Sequence, residues 1–232
     1  MKLSRFIILL TALFLFYLHA GAQTYTVKKI PKGGLQITGR GDHTSWKNAN
    51  VLTNFSYPWE KEQAPATSFS ALWDGSWLYC LFQVHDDSVI TLVNKNDKLE
   101  VGASDRVEIF LSPDTSLSPY YCLEMDATGR VLDYRASYYR KMDYSWKWPN
   151  DQFIIKTAKN KSGYVVEIAI SIQSLNDLGL LKNNRLLAGL FRAERKSGRE
   201  ARANLHWISW VKPNAAKPDF HIPSAFGVFI LE

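Results

Sequence analysis

The chain has 232 residues, 46% hydrophobic and 13% aromatic, with 28 Lys and Arg against 22 Asp and Glu for a formal charge of +6. That excess is modest and dispersed, which disfavours nucleic acid as a partner. With 8 Trp and 11 Tyr, burying every ring would be unusual, so some are expected at a contact surface.

In chain order, the first feature is an export signal over residues 1–22. Lys2 and Arg5 form a basic start, residues 6–18 are almost wholly apolar, and Ala20-Gly21-Ala22 is a small-x-small cleavage pattern before Gln23. A helix through that apolar run reaches only about 20 Å, short of a hydrocarbon core of about 30 Å, which favours cleavage over the rival reading of an uncleaved anchor. No Cys stands near the cleavage point to carry a lipid, and no later stretch is apolar enough to span a membrane. The expected address is the periplasm or the medium. Removal of Lys2 and Arg5 takes the charge from +6 to +4.

The remaining residues, 23–232, read as one domain. Short runs of period-2 alternation separated by turn residues predict antiparallel strands. Strands are expected at 67–73 and 77–85 around Asp74-Gly75, at 107–112, and at 120–126 and 131–138 around Thr128-Gly129. Others fall at 153–159 and 164–170, at 186–195, 204–210 and 227–231. On the second strand Leu78, Cys80, Phe82 and Val84 face one way, and Tyr79, Leu81, Gln83 and His85 the other. One short helix, 172–180, ends at Gly179, a residue suited to a left-handed cap. The economical architecture is an all-β, jelly-roll-type antiparallel β-sandwich with at most one short helix, its core including Leu78, Phe82, Val107, Ile109, Val166 and Ile168. Cys80 and Cys122 both sit in strands, so a disulfide and two packed thiols are equally open.

Sequence offers little for catalysis. His43, His85, His206 and His221 lack metal-site spacing, and neither a nucleophile elbow nor a phosphate loop is present. Glu108, Glu124 and Glu167 lie in strands, where two could pair as in a glycosidase. Asp86, Asp87, Asp97, Glu100 and Asp105 could ligate calcium, but without a fixed loop spacing a solvated acidic loop is the plainer reading. The richest segment is aromatic: Tyr138, Tyr139, Tyr144, Trp146 and Trp148, interleaved with Arg140, Lys141, Asp143 and Lys147. Burying all of them would bury the charges too. Flat rings stack on the C–H faces of sugars while charged groups bind the hydroxyls, so this mixture suits a carbohydrate surface; an aromatic hairpin capping the sandwich is the alternative.

Several stretches together resemble the family 9 carbohydrate-binding modules. They are Gly41-Asp42-His43-x-x-Trp46-x-x-Ala49, Phe69-x-Ala71-Leu72-Trp73-Asp74 with Trp77-Leu78-Tyr79, Asp105-Arg106-Val107-Glu108-Ile109, Tyr164-Val165-Val166-Glu167-Ile168, Ile208-Ser209-Trp210 and Phe226-Gly227. The resemblance implies a sandwich that grips a sugar in a slot between two aromatic rings, with polar strand residues fixing the hydroxyls. By position it places Glu108 in the slot and Phe220, beside His221, at one stacking ring. Glu124 and Arg192 fall near other polar positions. Val101-Gly102 stands where the second ring belongs, and Trp146 or Trp148 is the proposed substitute. The candidate carbohydrate-binding set is therefore Glu108, Glu124, Trp146, Trp148, Arg192, Phe220 and His221, with no catalytic residue assigned. The family's structural calcium is possible here, although its acidic positions are incomplete. The expected function is non-catalytic binding of an oligo- or polysaccharide. Two alternatives stand beside it: a glycan hydrolase using strand carboxylates, and a haem-binding sandwich using His206, His221, Met125 or Met142.

Overall fold

The computed structural model describes residues 23–95, 97–196 and 205–232; the expected export signal at 1–22 and the expected strand start at Asn204 lie outside the described residues. Fourteen strands occur among them. The first seven are β1 (Thr24–Lys29), β2 (Val51–Leu52), β3 (Thr67–Trp73), β4 (Trp77–His85), β5 (Arg106–Ser112), β6 (Tyr120–Asp126) and β7 (Val131–Ser137). After these come β8 (Lys141–Asp143), β9 (Phe153–Asn160), β10 (Gly163–Ser171), helix α1 (Ile172–Asp177), β11 (Leu181–Lys182), β12 (Arg185–Arg195), β13 (Leu205–Ser209) and β14 (Gly227–Leu231). They pair as one curled mixed sheet, β8-β7-β6-β5-β12-β14-β1-β3-β4-β10-β9. The curl folds it into two layers, an all-β sandwich.

Strand β1 is the hinge between the layers. Its first residues pair with β14 (Thr24 with Val228, Val27 with Leu231), and Lys28 and Lys29 pass to β3. Both pairings are parallel, which corrects the all-antiparallel expectation, and β1 itself is absent from the expected strands. The remaining ladders are antiparallel, as the short turns between successive strands require.

Between the layers lies the main core. Leu78, Cys80, Phe82 and Val84 of β4 enter it together with Val107, Ile109, Val166 and Ile168, as their alternation predicts. Tyr25, Phe69 and Phe229 interlock there with ring centroids 5.3–5.5 Å apart, each large apolar side chain contributing about 1.5–3 kcal/mol by burial. Tyr79 and Leu81 face away and join Trp46 and Leu35 in a second cluster on the outer side of the other layer. Helix α1 starts where the Ser171 side chain accepts from Ser174 N and stops before Gly179, whose φ of +68° takes the chain out of the helix.

The two cysteines do not meet. Cys80 points into the interlayer core and Cys122 into an outer cluster, so both are free and fully buried. Burial pushes both thiols up, away from reactive thiolate. Reductant is accordingly expected to leave the melting temperature unchanged, and a thiol reagent to label either Cys only after denaturation.

Candidate functional site

The site grows from strand alternation on the outer face of the β8–β12 layer. While Val107, Ile109 and Leu111 face the core, Arg106, Glu108 and Phe110 face outward. Glu108 pairs across the ladder with Glu124, so both carboxylates share that face. Tyr120, Cys122 and Tyr134 continue the face on β6 and β7, and Phe191 and Trp207 do so on β12 and β13. Residues 211–226 fold over it. Phe220 lies flat on Phe191 (4.0 Å, 12°) and meets Trp59 and Trp207 at 5.5 and 5.7 Å.

What this leaves open is a pocket of about 90 Å³. Its floor is Arg106, whose Nη2 lies 2.8 Å from Glu108 Oε1 and whose Nε lies 2.6 Å from Glu124 Oε2. The same guanidinium sits 5.4 Å from the Trp207 ring and donates from Nη1 to the carbonyls of Gly102 and Ser104. Although the ion-pair contacts are short, Arg106 Nε, Glu108 Oε1 and Glu124 Oε2 make no aligned hydrogen bond. Tyr134 OH donates to Glu124. At the rim, Asp219 accepts from Tyr139 OH (2.6 Å) and from Arg140 Nη1 (3.2 Å). His221 closes the wall through a 2.8 Å hydrogen bond between its Nδ1 and Tyr120 OH.

Burial dominates the electrostatics. It pushes the Glu108 carboxyl up to about 8, helped by the Glu124 charge and opposed by Arg106. His221 is held down to about 4 by burial and by Arg140, and so is neutral near pH 7. Glu108 therefore binds more protons folded than unfolded between its ordinary 4.5 and about 8. Its contribution to stability is complete below the lower value and is lost as pH rises through the upper one. The melting temperature of Glu108→Gln, measured against the wild-type protein, is thus expected to gain steadily from pH 5 to pH 8.5. A constant difference across that range would contradict the assignment.

Of the residues proposed from sequence, Glu108, Glu124, Phe220 and His221 come together here. Phe220 is 5% exposed, a wall clamped by other rings and not an open platform. Trp146 and Trp148 do not reach the pocket. They pack on Tyr121 at 5.0 and 6.4 Å at the margin of the interlayer core, with Trp148 Nε1 donating to Ser174 Oγ. Arg192 is fully buried on the opposite side of β12, bonded to Asp86, Glu194 and Thr67, and ties one layer to the other. Glu167 lies far away on the other layer. Sequence reasoning missed Arg106, Trp207, Arg140 and Asp219. Arg106-x-Glu108 on one strand face was a readable signal; Trp207, one residue from core-facing Ile208, was another.

No group of three metal-ligating side chains gathers among the described residues. The acidic loop spends its carboxylates on the protein itself. Asp86 pairs with Arg192, Asp97 caps a turn at Leu99 N, Glu100 binds Asn94 N and Lys95 N, and Asp105 accepts from Ile90 N and Arg195 N. These residues do not fit a calcium cage. Nor do the proposed haem ligands converge, since Met125 faces the interlayer core, His206 binds Glu60 and His221 binds Tyr120.

A two-layer β-sandwich with an aromatic and ionic pocket on one face defines a ligand-binding module. Residues 37–232 match the model of the carbohydrate family 9 binding domain-like family, and the chain belongs to that family. Among solved structures, a candidate carbohydrate-binding protein from Bacteroides uniformis superposes with a TM-score of 0.71 at 17% identity, covering 91% of this chain and 100% of that one. A family 9 module from Caldicellulosiruptor kristjanssonii aligns in its cellotriose complex (TM-score 0.61, 18% identity, 90% and 94% covered) and in its glucose complex (0.57, 21%, 90% and 96%). The exoglucanase XynX of Acetivibrio thermocellus is 28% identical over 130 residues, 56% of this chain but 11% of that enzyme. The chain thus spans about a tenth of that relative's length. Among the described residues no helix is long and apolar enough to cross a membrane.

Proposed function

We propose that the chain is a non-catalytic carbohydrate-binding protein whose glycan contact is the pocket at Arg106, Glu108, Glu124 and Trp207. The observation that carries this reading is the union, around one pocket, of a partly exposed indole with a guanidinium and two carboxylates. Such a surface offers an apolar face to sugar C–H groups and both donors and acceptors to hydroxyls. The cellotriose and glucose complexes of the structural neighbours support the same ligand class. Non-catalytic binding is favoured by the family match, and Glu108 and Glu124, 2% and 6% exposed, share one arginine.

Calorimetry with glucose, cellotriose and soluble plant polysaccharides tests the proposal. Trp207→Ala is expected to weaken binding by about tenfold or more, roughly 1.4 kcal/mol, with the fold retained. Silence across the panel, or release of reducing sugar from it, would overturn it. We further propose that residues 1–22 are a leader cleaved before Gln23, giving a single exported domain over 23–232. N-terminal sequencing of the protein recovered outside the cytoplasm should begin at Gln23.

A further inference from the structure

We infer that the protein carries a second binding site on the outer face of the opposite layer, where Trp77, Gln36 and Lys156 take an acidic sugar unit, a hexuronate. The site shares no residue with the pocket at Arg106, so the inference goes beyond the reading above and stands apart from it.

Strand register builds the cavity. Tyr79 of β4, Ala169 of β10 and Ile154 of β9 stand side by side on the face turned away from the interlayer core. The small Ala169 therefore forms a floor between two larger neighbours. Trp77 and Lys156 extend the two walls along the same face, and residues 35–37 close the remaining side. The space enclosed is about 290 Å³, near the lower end of the range for small-ligand clefts. Trp77 is half-buried and Ile154 is 42% exposed, so both reach the cavity without being sealed beneath it.

Two buried carboxylates hold the walls in place. Asp74 accepts from Gly33 N, Ser76 N, Trp77 N and Tyr79 OH. Glu167 accepts from Thr38 N, Gly39 N and Trp46 Nε1. The segment that carries Gln36 is thus pinned on both sides, at Gly33 and at Thr38, and the Trp77 main chain is fixed beside it. A cavity shaped before its ligand arrives loses little in ordering on binding.

The polar groups at the rim are unspent. Trp46, Trp59, Trp73 and Trp148 each donate their indole N–H to a protein acceptor. Among the described residues the side chains of Trp77, Gln36 and Lys156 have no hydrogen-bond or ion-pair partner. They offer one N–H from the indole, two from the amide and three from the ammonium, against a single amide oxygen. No Asp or Glu lines the cavity, and Glu167, the register partner of Lys156, spends its oxygens beneath residues 38–39. An excess of donors with one uncompensated cation calls for an acceptor-rich anion. A partly exposed indole beside Ile154 suits the C–H face of a pyranose ring. A hexuronate joins the two requirements in one unit: an apolar ring face, hydroxyls and a carboxylate. The cations of the other pocket, by contrast, are already paired, Arg106 with Glu108 and Glu124, and Arg140 with Asp219. With one site on each layer, a single molecule can hold two glycan segments at once.

Calorimetry with trimers of galacturonate, glucuronate and mannuronate, beside cellotriose, provides the test. At least one uronate trimer should bind, and more weakly as NaCl is raised from about 50 to about 500 mM. Lys156→Gln should weaken that binding by about tenfold, and Trp77→Ala by at least as much, with any cellotriose binding unchanged. Lys156 is exposed, so the melting temperature of Lys156→Gln should match that of the wild-type protein and keep the test readable if Trp77→Ala fails to fold. Trp207→Ala, which disables the pocket on the other layer, should retain uronate binding. Silence toward all three uronate trimers would overturn the inference. So would uronate binding that survives Lys156→Gln but is lost in Trp207→Ala, or equally tight binding of hexaglutamate. None of these results bears on neutral-sugar binding at the Arg106 pocket, which its own panel decides.

Discussion

Arg106→Met is expected to lower the stability of the protein by about 3–5 kcal/mol, seen as a fall in the denaturation midpoint at unchanged slope. Arg106 is 4% exposed and faces two carboxylates that are themselves buried. Methionine fills much of the same volume, so lost packing is a minor part of the loss. The cost comes from leaving Glu108 and Glu124 side by side without a counter-ion in a poorly solvated place. Two corollaries separate this cause from a simple cavity. Arg106→Met/Glu108→Gln/Glu124→Gln should recover most of the loss, because the orphaned charges are gone. The deficit of the single variant should also be largest well above pH 8 and shrink as pH falls toward it, since Glu108, pushed up to about 8 even beside Arg106, takes a proton there. A single variant as stable as the wild-type protein would show that the guanidinium carries no such role.

Glu167→Ala is the second large effect, expected at about 3–5 kcal/mol from several charge-assisted hydrogen bonds lost together. This carboxylate is fully buried on β10. It accepts from Thr38 N at 2.9 Å, Gly39 N at 2.5 Å and Trp46 Nε1 at 2.8 Å. One side chain thus fixes the long segment between β1 and β3 to the outer surface of its layer and seats the Trp46 indole. Removing it leaves the buried Gly39 N–H and Trp46 indole N–H without partners in a dry place. Urea unfolding should register the loss, and hydrogen exchange should show earlier opening at Thr38 and Gly39. A change below about 1 kcal/mol would mean that water replaces the carboxylate at little cost.

Much of the sandwich was legible because its strands obey a period of two. Residues 67–73, 77–85, 120–126 and 227–231 begin and end where the alternation and the turn residues place them. The predicted faces of β4 are the observed ones, and Gly163, whose φ is +143° and whose added Cβ would lie 1.9 Å from the Val84 carbonyl, marks the turn before β10. Strands β1, β2, β8 and β11 were not legible. Three of them have two or three residues, too few for a period to show, and β1 is held by partners that the local sequence does not reveal. The site was half legible for a related reason. Glu108, Glu124 and Phe220 could be placed by resemblance, but the second ring could not, because Trp207 arrives from a strand on the far side of β12. The aromatic run 138–148 also misled as a unit: β8 divides it, with Tyr138, Tyr139 and Tyr144 turned to solvent while Trp146 and Trp148 close the core. Linear spacing says that the rings are neighbours, not which side of a strand each will take.

The shared strand β1 also has a bearing on the order of assembly. Both layers are joined through a segment whose partner, β14, lies at the far end of the sequence, with position 24 beside 228. The hairpins of β3 with β4, β6 with β7 and β9 with β10 involve near neighbours and can form early, whereas the seam between the layers waits for the most distant pair of segments to meet. Until then two strand edges stand open. A chain cut before Gly227 would retain its local hairpins and its pocket-lining strands but lack the clasp between layers, and should behave as a loosely ordered, aggregation-prone intermediate.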